Sequence, residues 1–209
     1  MEVAIPIFDR ITALDAVGPY EVLSRLPGFS VTFVAEQPGP KRTDTGHLAL
    51  LADASLRELQ APEIVLVPGG PGQAALMDDG PVHEWLRAAH ETSTWTTSVC
   101  TGSLILAAAG LLQGRRATTL WLARDELRAL GADVCAERIV FDGKLVTAAG
   151  VSAGIDMALA LAARIAGAEL AQAIQLGIEY DPQPPFDAGS PEKAPAAIVE
   201  RVRALARFS

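Results

Sequence analysis

Uniformly apolar runs alternate along this chain with segments of helical periodicity. Val3-Ala4-Ile5-Pro6-Ile7-Phe8 reads as a buried strand, and Thr12 to Leu26 as a helix ended by Pro27-Gly28. Phe29 to Ala35 is a second strand and Ile64-Val65-Leu66-Val67 a third, stopped by Pro68-Gly69-Gly70. Pro81 to His90 predicts a helix with proline in its first turn, and Thr94 to Val99 a short β-branched strand. Ser103 to Leu112 predicts a helix closed by Gly114, and Trp121 to Leu130 one ended by Gly131. Ile139-Val140-Phe141 and Leu145-Val146-Thr147 flank Asp142-Gly143-Lys144, a hairpin signal, and Ser152 to Ala166 reads as an apolar helix. Strands that are apolar throughout, set between helices, imply a parallel sheet covered on both faces. Such a sheet carries its site at the carboxyl ends of its strands.

Proline sets the organisation. None occurs from Val82 to Asp181, then Pro182, Pro184, Pro185, Pro191 and Pro195 follow closely. The expectation is a single domain over residues 1–209, with a proline-rich segment at 181–195 and a C-terminal helix at 196–208. Ile198, Val202 and Leu205 recur at helical spacing, so that helix has an apolar stripe, packed either on its own domain or on a second subunit.

Composition narrows the function. Half of the 209 residues are hydrophobic, which excludes a disordered chain. Against 17 Lys and Arg stand 25 Asp and Glu, a net charge of −8, which argues against nucleic acid as a partner. Cys100 and Cys135 match no zinc spacing, redox pair or disulfide framework. The N-terminus lacks the pattern of a signal peptide, and the longest apolar run, Leu104 to Leu112, is too short to cross a bilayer. A cytoplasmic protein with free thiols and no membrane partner is the expectation.

The sharpest chemical feature is Thr97-Ser98-Val99-Cys100-Thr101-Gly102-Ser103-Leu104. A strand ends at the cysteine and a helix begins at once, in the manner of a nucleophile elbow. Unpaired N–H groups at the helix start favour a thiolate, so the Cys100 pKa is expected below about 8.5. Val67-Pro68-Gly69-Gly70-Pro71-Gly72 follows a buried strand, and its N–H groups with that of Thr101 suit an oxyanion hole. No Gly-Lys-Ser/Thr follows, so this is no phosphate loop. Asp15, in Leu14-Asp15-Ala16-Val17-Gly18-Pro19-Tyr20-Glu21, reads either as a helix N-terminal charge or as a catalytic acid; Glu21 reads as a solvated or ion-paired helix residue.

These segments, together with Thr147-Ala148-Ala149-Gly150-Val151-Ser152-Ala153-Gly154-Ile155-Asp156, resemble the ThiJ/PfpI superfamily from residue 1 to about 200. Cys100-Thr101-Gly102-Ser103, the Asp15 segment and the tail from Glu179 to Pro191 are similar to its isocyanide hydratase branch. The resemblance implies a flavodoxin-like α/β sandwich, a homodimer, no metal or other cofactor, and hydration of a small-molecule isocyanide to an N-formamide. It implies that Cys100 attacks the isocyanide carbon to give a thioimidate. Asp15 would move the proton and orient water. Thr101 would offer its backbone N–H, with its hydroxyl as a second candidate, and Gly70 a second N–H. A carboxyl beside a thiolate is expected to have a raised pKa, leaving Asp15 a general acid.

One position departs from the superfamily pattern. Histidine often precedes the tryptophan of Ala117-Thr118-Thr119-Leu120-Trp121, and here Leu120 stands there. That weakens amidase- or protease-like chemistry, which needs a Cys–His pair, more than it weakens isocyanide hydration. Glyoxalase-like thiol chemistry and a non-enzymatic redox or small-ligand sensor using Cys100 remain alternatives; the sensor relatives carry a helix-turn-helix that this chain is not expected to have. His47, His83 and His90 read as surface residues and Cys135 as a buried structural thiol. Gly150, Val151 and Ser152 are expected to line the pocket, with Ser152 as a helix N-cap. Trp121 lines the pocket or fills core.

Overall fold

In a computed structural model, which describes residues 1–206, the apolar runs become the strands of a central sheet. In chain order the elements are β1 (Glu2–Pro6), α1 (Ala13–Leu23), β2 (Ser30–Ala35), β3 (Gly39–Arg42), β4 (Ala49–Ala52), β5 (Ala54–Ser55), β6 (Ile64–Val67), α2 (Pro81–Thr92), β7 (Trp95–Val99) and α3 (Gly102–Ala108). There follow β8 (Arg116–Ala117), α4 (Arg124–Ala129), β9 (Asp133–Val134), β10 (Ile139–Asp142), β11 (Leu145–Ala148), α5 (Ala153–Ala166), α6 (Ala168–Gly177) and α7 (Ala196–Ala206). Positions 207 and 208 of the expected C-terminal helix lie outside the described residues.

The main sheet has seven strands in the order β10-β11-β7-β6-β1-β2-β5. Every pairing is parallel except the β10–β11 hairpin. This is a flavodoxin-like fold. After β1 the chain builds outward to β2 and β5, then returns to β6 on the other side of β1. The reversal falls between β1 and β6, and sheets of this kind hold their ligands at the carboxyl ends of the strands flanking such a switch point.

Alternation within each strand splits the core. Val3, Ile5, Ile64, Leu66, Val146 and Ala148 pack with α1, α5 and α6. Ala4, Val65, Val67 and Leu145 pack with α2, α3 and α4. Helices α1 and α5 meet through small residues. A Cβ on Gly18 would lie 3.0 Å from Ile155, and one on Gly154 would lie 3.0 Å from the Pro19 ring. The reciprocal close approach fixes the turn of α1 that carries Asp15 against the start of α5.

Three expected helices are shorter than predicted, among them α1, which ends at Leu23 rather than Leu26. α3 stops at Ala108 because Gly110 adopts φ +83° and Leu111 N–H reaches back to Leu106 O, a left-handed helix ending. The segment from Trp121 begins as a 3-10 turn, Trp121–Ala123, before α4, with Ala123 N–H bonded to Leu120 O at 2.8 Å. The β3–β4 hairpin and α6 were not predicted. Both lie at the surface and bury few side chains.

Candidate active site

The carboxyl ends of three adjacent strands bring the candidate residues together. β1 leads to Asp15, β6 to Gly69 and Gly70, and β7 to Cys100. Cys100 is the turn between β7 and α3, with φ +57°, a left-handed state that costs a side-chain-bearing residue about 1–2 kcal/mol. Its N–H is bonded to Ala148 O (3.2 Å) and Ala149 O (2.8 Å). Its carbonyl accepts from Ser103 Oγ at 3.1 Å and from Thr119 Oγ1 at 2.9 Å. Gly102 makes the tight turn possible, since a Cβ there would sit 2.1 Å from Val67 O.

Asp15 is fully buried. Gly69 N–H donates to its Oδ2 at 3.0 Å, while the buried Oδ1 completes no hydrogen bond. Burial pushes its pKa up to about 7, against the opposing hydrogen bonds from Gly69 and Cys100. The direction is as expected, but the leading cause is desolvation rather than a neighbouring thiolate.

The Cys100 thiol moves opposite to the sequence expectation. Only 3% of the residue is exposed, and burial pushes its pKa well above the usual thiol range. The Asp15 charge pushes the same way, while hydrogen bonds from the N–H and hydroxyl of Thr101 oppose without prevailing. The helix start does contribute, but removing the sulfur from water outweighs it. Asp15 and Cys100 therefore form a coupled pair that keeps a proton on sulfur when Asp15 ionises.

The oxyanion arrangement also differs. Gly70, at φ +131°, directs its N–H to Thr101 Oγ1 at 2.9 Å rather than into open space. The Gly70 donor expected to serve the site is therefore taken by Thr101. Gly150 abuts Leu120, whose Cδ1 would lie 3.3 Å from a Cβ there. Leu120, Val151 and Ile155 are partly buried against the cluster that contains Cys100. Ser152 stands at the N-cap of α5 but makes no capping bond. It is exposed, and its hydroxyl accepts from Arg138 at 3.2 Å. Trp121 is half-buried, with the Arg203 guanidinium of α7 over its ring at 5.5 Å.

The histidines, Cys135 and Glu21 divide. His47 is exposed, as expected. His83 is buried on the inner face of α2, with neither ring nitrogen hydrogen-bonded, because its position falls beside Leu86 and Val82 on the apolar side. His90 is half-buried and bonds Thr96 through Nδ1 at 2.8 Å; burial and then Lys144 hold its pKa below the usual range. Cys135 is only partly buried, because β9 is a two-residue strand at the surface, and its sulfur lies 3.7 Å from Ala117 O. Glu21 is ion-paired with Arg25 at 2.6 Å. Among the described residues no group of three His, Cys, Asp or Glu side chains could hold a metal ion, and no helix is long and apolar enough to cross a membrane. Thr119 was missed in the sequence; no local pattern marks it.

Known proteins show the same ground plan. The sequence profile of the DJ-1/PfpI family matches residues 1–164. The chain is 43% identical over 203 residues to an isonitrile hydratase of Pseudomonas putida, spanning 97% of this chain and 89% of that protein. It is 30% identical over 171 residues to the HTH-type transcriptional regulator CdhR of Pseudomonas aeruginosa, of which it spans 50%. Among solved structures, a ThiJ/PfpI family protein from Pseudomonas syringae superposes with a TM-score of 0.95 at 35% identity, covering 99% of this chain and 86% of that one.

Proposed function

The chain belongs to the DJ-1/PfpI family, and from that premise we propose that it hydrates an isocyanide to an N-substituted formamide. The observation that carries the reading is a buried carboxyl, Asp15, coupled to a buried thiol, Cys100, at the sheet's switch point. The similarity to an isonitrile hydratase, the same functional group under another name, supports it.

The chemistry follows from the pair. Ionised Asp15 accepts the Cys100 proton as sulfur attacks the terminal carbon of R–N≡C. The same proton returns to that carbon, giving the thioimidate R–N=CH–S–Cys100. Water then adds across the C=N bond, with Asp15 relaying its proton to nitrogen. Collapse expels the thiol and releases R–NH–CHO. Atoms and charge balance at each step, and the cycle requires no cofactor. A thiol pKa raised by burial suits this path, because sulfur need be anionic only as it attacks. Thr101 meets the developing charge on sulfur with its N–H and hydroxyl. Leu120, Val151 and Ile155 suit a neutral, apolar R group. The same reading takes the active form as a homodimer: Ile198, Val202 and Leu205 are 46%, 38% and 64% exposed on α7, which buries no residue.

The test is to mix the protein with an aryl and an alkyl isocyanide and follow formamide appearance. Wild type turns over; Cys100→Ala does not; Asp15→Asn loses at least about 100-fold in kcat/KM, as for removal of an acid–base group. Full activity in Cys100→Ala would overturn the mechanism. No wild-type turnover, with Cys100 still reactive, would move the reading to other thiol chemistry or to a sensor.

A further inference from the structure

Two buried hydroxyls converge on one carbonyl, that of Cys100. They are not equivalent. Ser103 lies three residues along the same turn, so its hydroxyl travels with the elbow. Thr119 comes from a separate segment, nineteen residues on, and ties the elbow to the body of the fold. That segment is anchored at each residue. Ala117 pairs with Val134 in the β8–β9 sheet and accepts from Cys135 N–H at 3.0 Å. Thr118 N–H donates to Thr147 Oγ1 of β11 at 2.9 Å, and β11 is the neighbour of β7.

A left-handed residue persists only where its surroundings over-determine it. At Cys100 the N–H is held by Ala148 and Ala149, and the carbonyl by Ser103 and Thr119. Rotation of either backbone bond swings the sulfur away from the carboxyl it works with. We propose that Thr119 is a positioning residue for the proposed reaction: its hydroxyl grips the Cys100 carbonyl and holds the strained elbow with its sulfur beside Asp15. This rests on Cys100 being the nucleophile of the hydratase reading.

The experiment compares wild type with Thr119→Val, which keeps the shape and removes the donor, and Thr119→Ser, which keeps the donor. One readout is kcat and KM on an aryl isocyanide. The second is the rate of Cys100 alkylation by iodoacetamide between about pH 5.5 and about pH 9, resolved from Cys135 by peptide mass spectrometry. Thr119→Val is expected to lower kcat about 10- to 100-fold with KM changed less than about twofold, the size of effect a ~1 Å misplacement gives. It is also expected to shift the pH profile of Cys100 alkylation and leave that of Cys135 alone. Thr119→Ser restores both readouts to near wild type. Should Thr119→Val not fold, Thr147→Val, which frees Thr118 from β11, is expected to show a smaller shift of the same kind. A lowered melting temperature with unchanged kcat and Cys100 profile, or failure of serine to rescue, would overturn the proposal. If wild type turns over no isocyanide, the hydratase reading fails while the alkylation profiles still decide the role of Thr119.

Discussion

Asp15 and Cys100 show how burial outranks local sequence. The elbow and the glycine loop were legible because each signal is contiguous, a strand, a turn residue and a helix start; Asp15 stood out only through the resemblance, since its local pattern fits a helix N-terminal charge equally well. The protonation of the thiol was not. It depends on how much water the segments around residues 118–120 and 148–155 exclude, and those lie far from Cys100 in sequence. Thr119 was illegible for a related reason: one hydrogen bond across nineteen residues leaves no periodic trace. The raised pKa of Asp15, about 7 against an ordinary 3.8, has a consequence for stability. Below the ordinary value the carboxyl is neutral in both folded and unfolded chains. As pH rises toward 7 the unfolded chain ionises first, so the folded state loses stability progressively. Asparagine at position 15 still accepts from Gly69 and does not titrate. The stability advantage of Asp15→Asn over wild type should therefore grow by a few kcal/mol, on the order expected for a shift of this size, and level off above pH 7. Urea titrations at a series of pH values check this; a pH-independent difference would contradict the burial of a titrating carboxyl.

At the scale of elements, strands β1, β2, β6, β7, β10 and β11 and helices α1 to α5 followed from period and punctuation. The strands β5 and β8, the surface hairpin β3–β4 and helix α6 did not; β5 and β8 are two residues long, too short to show a period, and the hairpin buries a single side chain. The connection after β6 is the most constrained element. Gly70 has φ +131°, and a Cβ there would lie 2.4 Å from Thr12 N. Both the backbone state and the lack of space exclude other residues. Gly70→Ala should cost about 3 kcal/mol or more, combining backbone strain with displacement of the β1–α1 connection. Chemical denaturation measures the loss. A cost near zero would mean the loop after β6 can move without disturbing the start of α1.

For the whole molecule, the sheet acts as a partition. Met157 of α5 and Ile105 of α3 are both fully buried, in different clusters on opposite faces. Each truncation to alanine should cost about 2–5 kcal/mol. Lying in separate clusters on opposite faces, the two should add to within about 0.5 kcal/mol in the double variant, measured by the same denaturation. Strong non-additivity would show that the faces communicate through the strands.

The rims of that sheet carry a further consequence. One edge strand, β5, is two residues long, and the other, β10, is four. The outer end of β10 is occupied as well: Asp142 Oδ2 accepts from Arg116 N–H at 2.9 Å and faces Arg115. An incoming strand would find too few free backbone groups on either side to template growth. Polymerisation by strand addition, the usual hazard of an open β-sheet, is disfavoured at both borders of the main sheet.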